Sequence, residues 1–340
     1  MFDFINKPLG FILEKLADLM GNSFAWAVLA FTLVINLILI PLTIKSQKST
    51  VQQIRIKPKL DELKKRYGND RQKFAEAQQK LYQEENVSMS GGCLPMILRL
   101  VIMMSIYTLI LSPLTYMAGA DNKKVTNVTD EIKSSLTELK KDNEKEYEAF
   151  VNEYNWDVSR PELSLVGLVR TDDGKDAVKE LVGKKTFAKI ENDLDAIVEK
   201  DKETNIDYTF ISNKINLTEK PNFSFNIFGD WQPIWIMPII AFVSQILSSL
   251  LSMAVNKKNN PDAPSMAGMM LTMPIISLII GFTLPGGVSF YWACSSIIGG
   301  VIQVAVQYFY GPHRMLGAMR AKELVKQATF EKTQLDKFAE

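Results

Sequence analysis

The sequence predicts an all-α polytopic membrane protein: a five-helix transmembrane bundle with a cytoplasmic helical hairpin and an inserted extracytoplasmic soluble domain. Three observations predict it. First, Phe24–Ile44, Cys93–Tyr116, Ile234–Val255, Met266–Leu284 and Val288–Tyr310 contain one charged residue among them, Arg99. Each approaches or exceeds the ~20 apolar residues that span a bilayer core, and a lone apolar segment in lipid satisfies its own backbone only as a helix. Second, basic residues collect in alternate connections. Third, Met117–Trp231 holds 17 basic and 24 acidic residues, a density that belongs in water. The total net charge of +1 hides this segregation.

Residues 1–22 are not a signal peptide, because Lys7 and Lys15 interrupt any apolar core and no small-x-small cleavage site follows. Phe4, Leu9, Phe11, Ile12, Leu16 and Leu19 fall mostly on one helical face, which predicts an amphipathic helix lying on the outer membrane surface. The first span is 23–45. The connection 46–90 is basic: Lys45–Ser90 carries eleven basic residues against six acids. Pro58 lies near the start of the first of two narrow apolar stripes. These are Ile56, Leu60 and Leu63, then Phe74, Ala77, Leu81 and Tyr82, and they meet near Tyr67-Gly68-Asn69 and predict a helical hairpin. Such a hairpin serves either as a solvated connector or as a docking arm for an incoming chain.

The second span is 92–116 and the extracytoplasmic insertion 117–231. Within the insertion, Thr129–Tyr154 and Lys175–Asp201 read as helices, and Leu163–Val169 and Tyr208–Ile211 as short strands or buried turns. The third span, 233–255, leads through a short loop, 256–265, with Lys257 and Lys258, to the fourth, 266–284. Leu284-Pro285-Gly286-Gly287 makes a tight outer turn. Aromatics Phe290, Tyr291 and Trp292 then open the fifth span, 288–310, near the outer interface. The tail, 311–340, adds six basic residues. The positive-inside rule makes 46–90, 256–265 and 311–340 cytoplasmic, with the N-terminus outside and the C-terminus inside. The expected location is the bacterial cytoplasmic membrane.

Arg99 carries the strongest functional signal. A cation at membrane depth is unfavourable by roughly 2.5–3.5 kcal/mol on insertion scales, and no Asp or Glu in any apolar stretch neutralises it. It points to a water-filled, positively charged site within the bundle. A small transporter or channel with an intramembrane anion site is one reading, weakened by the lack of paired helix breaks or internal inverted repeats. A membrane anchor for the outer domain needs neither five spans nor a buried arginine. Cys93 and Cys294 offer neither a disulfide framework nor metal spacing and read as packing residues, and His313 reads as interfacial. There is no Ser/His/Asp set, Walker loop or metal-ligand cluster, so no enzyme and no cofactor is expected. Asn127-Val-Thr, Asn216-Leu-Thr and Asn222-Phe-Ser match glycosylation sequons and are taken as chance matches.

Four features, in order, resemble the YidC family of membrane protein insertases. They are Thr32-Leu33-Val34-Ile35-Asn36-Leu37-Ile38-Leu39-Ile40-Pro41-Leu42, the charged hairpin with Pro58 and Tyr67, Gly92-Cys93-Leu94-Pro95-Met96-Ile97-Leu98-Arg99, and Leu284-Pro285-Gly286-Gly287-Val288-Ser289-Phe290-Tyr291-Trp292. The resemblance spans all five apolar stretches and leaves out Met117–Trp231. It implies a YidC-type bundle with a groove open to cytoplasm and lipid but closed to the outside, and it implies no nucleotide hydrolysis. Its implied partners are nascent membrane proteins and membrane lipids, with the ribosome and the general secretion translocon as further candidates and DNA excluded. Thr32 matches a substrate-contacting position of the family, and Trp292 and Gln303 fall where the fifth span faces the groove. Met96, Met103 and Met104 would supply adaptable apolar contact. Ser295, Ser296, Gly299, Gly300 and Gln303 line one side of the fifth span, as packing residues or as groove lining.

The chain departs from the family where the charge sits. The family usually places its groove arginine in the first span, where this chain has Asn36, and often a glutamine in the second, where this chain has Arg99. Counted from the cytoplasmic ends at ~1.5 Å per residue, both lie about 10–13 Å deep. The cation is therefore expected to have moved across one shared cavity. Ser88-Met89 replaces the family's usual Asn-Pro before the second span, and the large outer insertion is also atypical.

Overall fold

The computed structural model describes residues 3–68, 70–88, 94–211, 214–223, 229–259 and 267–339, with some side chains inside the helices, including those of Met96 and Arg99, left undescribed. The chain is nearly all helical. In order come α1 (Asp3–Leu19), α2 (Phe24–Ile38), α3 (Ile40–Tyr67), α4 (Arg71–Glu84), α5 (Leu94–Leu111), α6 (Pro113–Tyr116), α7 (Asn122–Asp142), α8 (Glu144–Glu153), α9 (Pro161–Val169), α10 (Gly174–Val182) and α11 (Lys184–Thr204). A two-stranded antiparallel hairpin follows, β1 (Thr209–Phe210) and β2 (Ile215–Asn216), pairing Thr209 with Asn216 and Phe210 with Ile215. Then come a 3₁₀ turn (Pro233–Trp235), α12 (Ile236–Asn259), α13 (Ala267–Gly281), α14 (Gly286–Tyr310) and α15 (Pro312–Ala339).

By length and apolar composition, Pro233–Val255 and Gly286–Ala318 are able to cross a membrane, and α2 with α3 qualifies if that bent pair is one span. The apolar helices Leu100–Leu111 and Leu271–Gly281 are shorter. The chain divides into two compact units. One contains Met1–Leu33, Ile102–Val243 and Pro274–Cys294; the other contains Val34–Val101, Ser244–Met273 and Ser295–Glu340. Every one of these boundaries falls inside one of the five apolar stretches.

The first unit is built around the insertion. Asp121 accepts from the Lys123 N–H at 2.9 Å and starts α7, while Asn205, at φ 41°, ends α11. The long helices α7 and α11 pack together with α9 and α10. Val128, Ile132 and Leu136 meet Leu165, Leu168, Val178, Leu194 and Ile197 in a core with almost no exposure. Leu163–Val169, read from the sequence as a strand or buried turn, is helix α9. Pro161 at its first turn favours that start, and a run of only seven residues is too short for periodicity to separate helix from strand. Tyr208–Ile211 does include the strand β1.

Helix α1 buries Asn6, Gly10, Leu13 and Ala17 and leaves Phe4, Phe11, Ile12 and Leu19 exposed. Its protein-facing side is thus a small-residue stripe, and the predicted apolar stripe is left mostly outward. The close approach is at Gly10, where a Cβ would stand 2.3 Å from the Tyr116 carbonyl oxygen. The Tyr116 hydroxyl donates to Asp3 Oδ1 at 2.7 Å.

In the second unit, α3 runs unbroken from Ile40 to Tyr67. Two sequence expectations change here. The stretch Phe24–Ile44 is not one straight helix: α2 and α3 meet at 48° across Leu39, where Pro41 sits in the first turn of α3 and cannot extend the helix before it. Pro58 does not open a helix but lies inside α3. The hairpin partner α4 is capped by Asp70, which accepts from the Lys73 N–H at 3.1 Å. Between the two helices, Val51, Ile56, Leu81 and Val87 are buried. The turn residue Asn69 lies outside the described residues, as do Met89–Cys93 and most of the loop 256–265. The tail forms α15, which packs on α3.

One buried acid ties α9 to α6. Glu162 is 9% exposed; its Oε1 accepts from the Thr115 N–H at 2.7 Å and its Oε2 from the Thr115 hydroxyl at 3.0 Å. Ser112 and Leu114 also donate to it, yet burial dominates and lifts its carboxyl to about 7. The folded carboxyl therefore holds its proton more tightly than the unfolded one. Its contribution to stability is fully present below the ordinary carboxylate range and is lost as pH rises through about 7. The purified protein should melt at progressively lower temperature from about pH 5 to pH 8, and Glu162→Gln should flatten that slope. An equal slope in the variant would show that Glu162 is not the titrating group.

Candidate functional site

Helix α2 is apolar except for two residues on its buried side. Phe24, Val28, Phe31, Thr32 and Asn36 are buried, while Leu29, Leu33, Leu37 and Ile38 are exposed. Thr32 and Asn36 are one turn apart and share a face. The Thr32 hydroxyl donates to the Val28 carbonyl at 2.6 Å, a bond back to the preceding turn of its own helix. Asn36 is 8% exposed. A primary amide carries two donors and an acceptor of two lone pairs, which makes Asn36 the most polar side chain in α2.

Helix α5 carries the second set. The backbone at Met96 and Arg99 is helical, and both side chains lie outside the described residues. Met103 is half-buried, Met104 exposed and Ser105 buried. Among the described residues no partner meets the Ser105 hydroxyl.

Helix α14 carries the third. Ser296, Gly300, Gln303 and Gln307 recur at spacings of four, three and four, which puts them on one helical face. Ser296 and Gln303 are half-buried and Gln307 is 6% exposed. Gly300 meets α12: a Cβ there would stand 2.8 Å from Ser248 Oγ. At this position the small residue serves close helix packing. Trp292 is half-buried, and its buried Nε1 has no partner among the described residues.

Thr32, Met103 and Trp292 belong to the first compact unit, and Asn36, Met96, Arg99, Ser296 and Gln303 to the second. Sequence reading overlooked two buried polar residues of the second unit, Ser244 on α12 and Gln307 on α14. Both were within reach of a spacing argument, since Gln307 is one turn beyond Gln303 and Ser244 one turn before Ser248.

The second unit also holds the cationic hairpin. Arg55 Nη2 donates to Glu85 Oε2 at 2.9 Å and the Lys59 ammonium to Glu85 Oε1; this pairing, with Lys59 foremost, holds the Glu85 carboxyl below its usual range. Exposed pairs of this kind contribute about 0–1 kcal/mol. At the tip, Lys64, Lys65, Arg66 and Lys73 surround Tyr67, Gly68 and Asp70 in a shallow depression. No cluster of metal-ligating side chains occurs among the described residues.

Long apolar helices, a charge-rich segment between them and polar side chains buried within the apolar helices are compatible with a helical membrane protein. The family model of the 60Kd inner membrane protein matches residues 15–154 and 207–312, well over half of the sequence. The chain belongs to that family, the family of the YidC insertases. It is 38% identical over 109 residues to the membrane protein insertase YidC of Roseobacter denitrificans, a match covering 32% of this chain and 18% of that protein. It is 34% identical over 108 residues to the Ectopseudomonas mendocina protein of the same name, again 32% of this chain and 18% of the relative. The Bordetella petrii insertase is 36% identical over 108 residues, 32% of this chain and 19% of the relative. The chain thus matches less than a fifth of the length of these relatives. The family match omits residues 155–206, which contain α9, α10 and α11.

The Gly300–Ser248 approach makes a packing prediction. Gly300→Ala should lower the stability of the purified protein by roughly 1–3 kcal/mol through overpacking, and Ser248→Ala should restore part of it by removing the hydroxyl the new methyl meets. The measurement is the unfolding midpoint of the four variants in detergent; a neutral Gly300→Ala would contradict the close approach.

Proposed function

We propose that this chain is a membrane protein insertase and chaperone that passes the polar flank of a nascent membrane protein through a hydrophilic groove while its apolar segment enters lipid. One observation carries the reading: Asn36 is buried on the polar side of an otherwise apolar helix, in a family whose characterised members are named insertases. Arg99, at matching depth in the second span, supplies the positive charge. In a hydrated cavity of low dielectric that charge attracts an acidic tail more strongly than it would in bulk water. Lipid partitioning of the apolar segment drives the step at roughly 0.8 kcal/mol per buried CH₂.

The groove in this reading is lined by Asn36, Arg99, Thr32, Met96, Met103, Trp292, Ser296 and Gln303. This reading takes the five apolar stretches as five membrane spans. The unit holding Asn36 also holds the basic hairpin, Lys257 and Lys258, and the basic tail. By the positive-inside rule these basic segments are cytoplasmic, with the N-terminus and the insertion outside. The outward apolar side of α1 and the aromatic cluster of Phe223, Trp231, Trp235 and Phe282 fit an outer lipid–water interface. Substrates are nascent membrane proteins. The cationic hairpin tip and α15 suit anionic partners such as ribosomal RNA or lipid headgroups, and the general translocon is a further candidate partner.

The test is depletion complementation. The chain should restore growth and membrane-protein insertion to a bacterium depleted of its own insertase. In that strain Arg99→Ala should lower insertion of substrates with acidic translocated tails, and Arg99→Lys should retain much of it, since a point charge suffices where no bidentate geometry is required. Full activity of a stably expressed Arg99→Ala protein would overturn the role of the cation. Failure of the wild-type chain to complement would count against the insertase reading.

A further inference from the structure

The segment between α11 and the 3₁₀ turn makes an unusual set of backbone contacts. Just before α2, it runs beside Asn22–Phe24 as a parallel bridge, with Ser23 opposite Asp207. The Asp207 N–H donates to the Asn22 carbonyl at 2.7 Å, and the Phe24 N–H donates to the Asp207 carbonyl at 2.8 Å. Tyr208 lies against the Phe24 ring at 5.3 Å. The chain then turns through β1 and β2, whose Phe210 ring rests 5.0 Å from Phe290 of α14. On the return, the Gly287 N–H donates to the Leu217 carbonyl and the Gly286 N–H to the Glu219 carbonyl, each at 2.8 Å. Gly286 and Gly287 are the first residues of α14, whose opening N–H groups have no partner inside the helix. One strap of about a dozen residues thus satisfies the ends of two apolar helices.

The strap fits closely and is pinned from behind. A Cβ on Gly287 would stand 3.2 Å from both the Leu217 carbonyl oxygen and Phe24 Cε1, and 3.5 Å from Ile110 Cγ2 of α5. Leu217 is 0% exposed, Ile110 3% and Phe24 1%. Behind it, Arg170 makes two bonds to Asp201, each at 2.7 Å, and a third to the Ile206 carbonyl at 2.9 Å. Its guanidinium also lies 5.1 Å from the centre of the Tyr208 ring. Burial holds the Tyr208 phenol well above its usual range, so it stays neutral beneath that cation. Arg170 and Asp201 both lie in the 155–206 stretch that the family match omits.

We propose that the described residues 206–211 and 214–219 form a fixed outer seal: a strap, pinned to the insertion by Arg170, that holds the outer ends of α2 and α14 together and closes the bundle to water and ions on the outside. The inference rests on the insertase reading for its orientation and deepens it, by giving the insertion a task. The strap does not open during insertion; a translocated tail leaves without separating α2 from α14.

The test uses the full chain with Cys93→Ser and Cys294→Ser, reconstituted in vesicles, and three readouts. Ile110→Cys, beneath the strap, should resist a membrane-impermeant maleimide added from outside. With Gly287→Val, which drives side-chain atoms into Leu217 and Phe24, Ile110→Cys should become labelled and the vesicles should leak potassium; a tight, unlabelled variant would overturn the seal. Where Gly287→Val fails to accumulate, Ser23→Cys with Asp207→Cys decides instead. Once oxidised, that pair should insert a reporter as well as its reduced form, and loss of insertion on oxidation would show a moving gate and overturn the proposal. Leak and labelling are read without any substrate, so a wild-type chain that inserts nothing would count against the insertase reading and leave the seal to be judged by those two readouts.

Discussion

Polar groups must be satisfied where water is scarce, and most of this structure follows from that constraint. An apolar helix satisfies its interior through its own backbone, but its first N–H groups and any polar side chain need a partner. Thr32 solves this within α2 by bonding to Val28. The first two N–H groups of α14 solve it by recruiting carbonyls from the insertion. Glu162 solves the reverse problem, a buried acceptor, by collecting donors from Ser112, Leu114 and Thr115 at the N-terminal end of α6. The insertion is thus joined to the apolar helices by the polar groups that those helices leave open.

The same constraint shapes the two compact units. Cations gather in the hairpin, the short third-to-fourth connection and the tail, all in the unit that holds Asn36. The insertion, with its excess of acids, lies in the other. Among the described residues, buried polar side chains within the apolar helices are Thr32 and Asn36 on α2, Ser105 on α5, Ser244 on α12, and Ser289 and Gln307 on α14. A bundle needing only stability would replace them with aliphatic residues at little cost. Their presence fits a protein that keeps a polar path beside lipid.

The apolar helices were legible in the sequence because a stretch of about 20 apolar residues has few other uses. The hairpin was legible from two stripes and a Gly-Asn turn, although its buried Val51 and Val87 fell outside those stripes. The break at Leu39 was not foreseen, because hydropathy averages over Pro41 while the backbone does not. Leu163–Val169 was ambiguous for a different reason, being short and mostly apolar, with no clear period. Of the candidate site, the residue types were legible, and the shared depth of Asn36 and Arg99 is an expectation from counting residues along the two apolar stretches. The strap was not legible, since backbone hydrogen bonds between distant segments leave no mark on the side-chain pattern. Gly286 and Gly287 were read as a turn, and their second role, admitting Leu217 and Ile234 to close contact, appears only in three dimensions.

The central claim is that Asn36 and Arg99 serve one cavity, with the cation moved from the first span to the second. The direct measurement is insertion of a single acidic-tailed reporter by wild type, Asn36→Arg, Arg99→Gln and the double variant at matched expression. Two cations sharing a partly desolvated groove about 8 Å apart repel by roughly 2 kcal/mol at an effective dielectric of about 20. Asn36→Arg alone should therefore be impaired, and adding Arg99→Gln should restore activity. If the two substitutions combine additively, with no rescue, the residues do not share a site and the relocated cation is wrong.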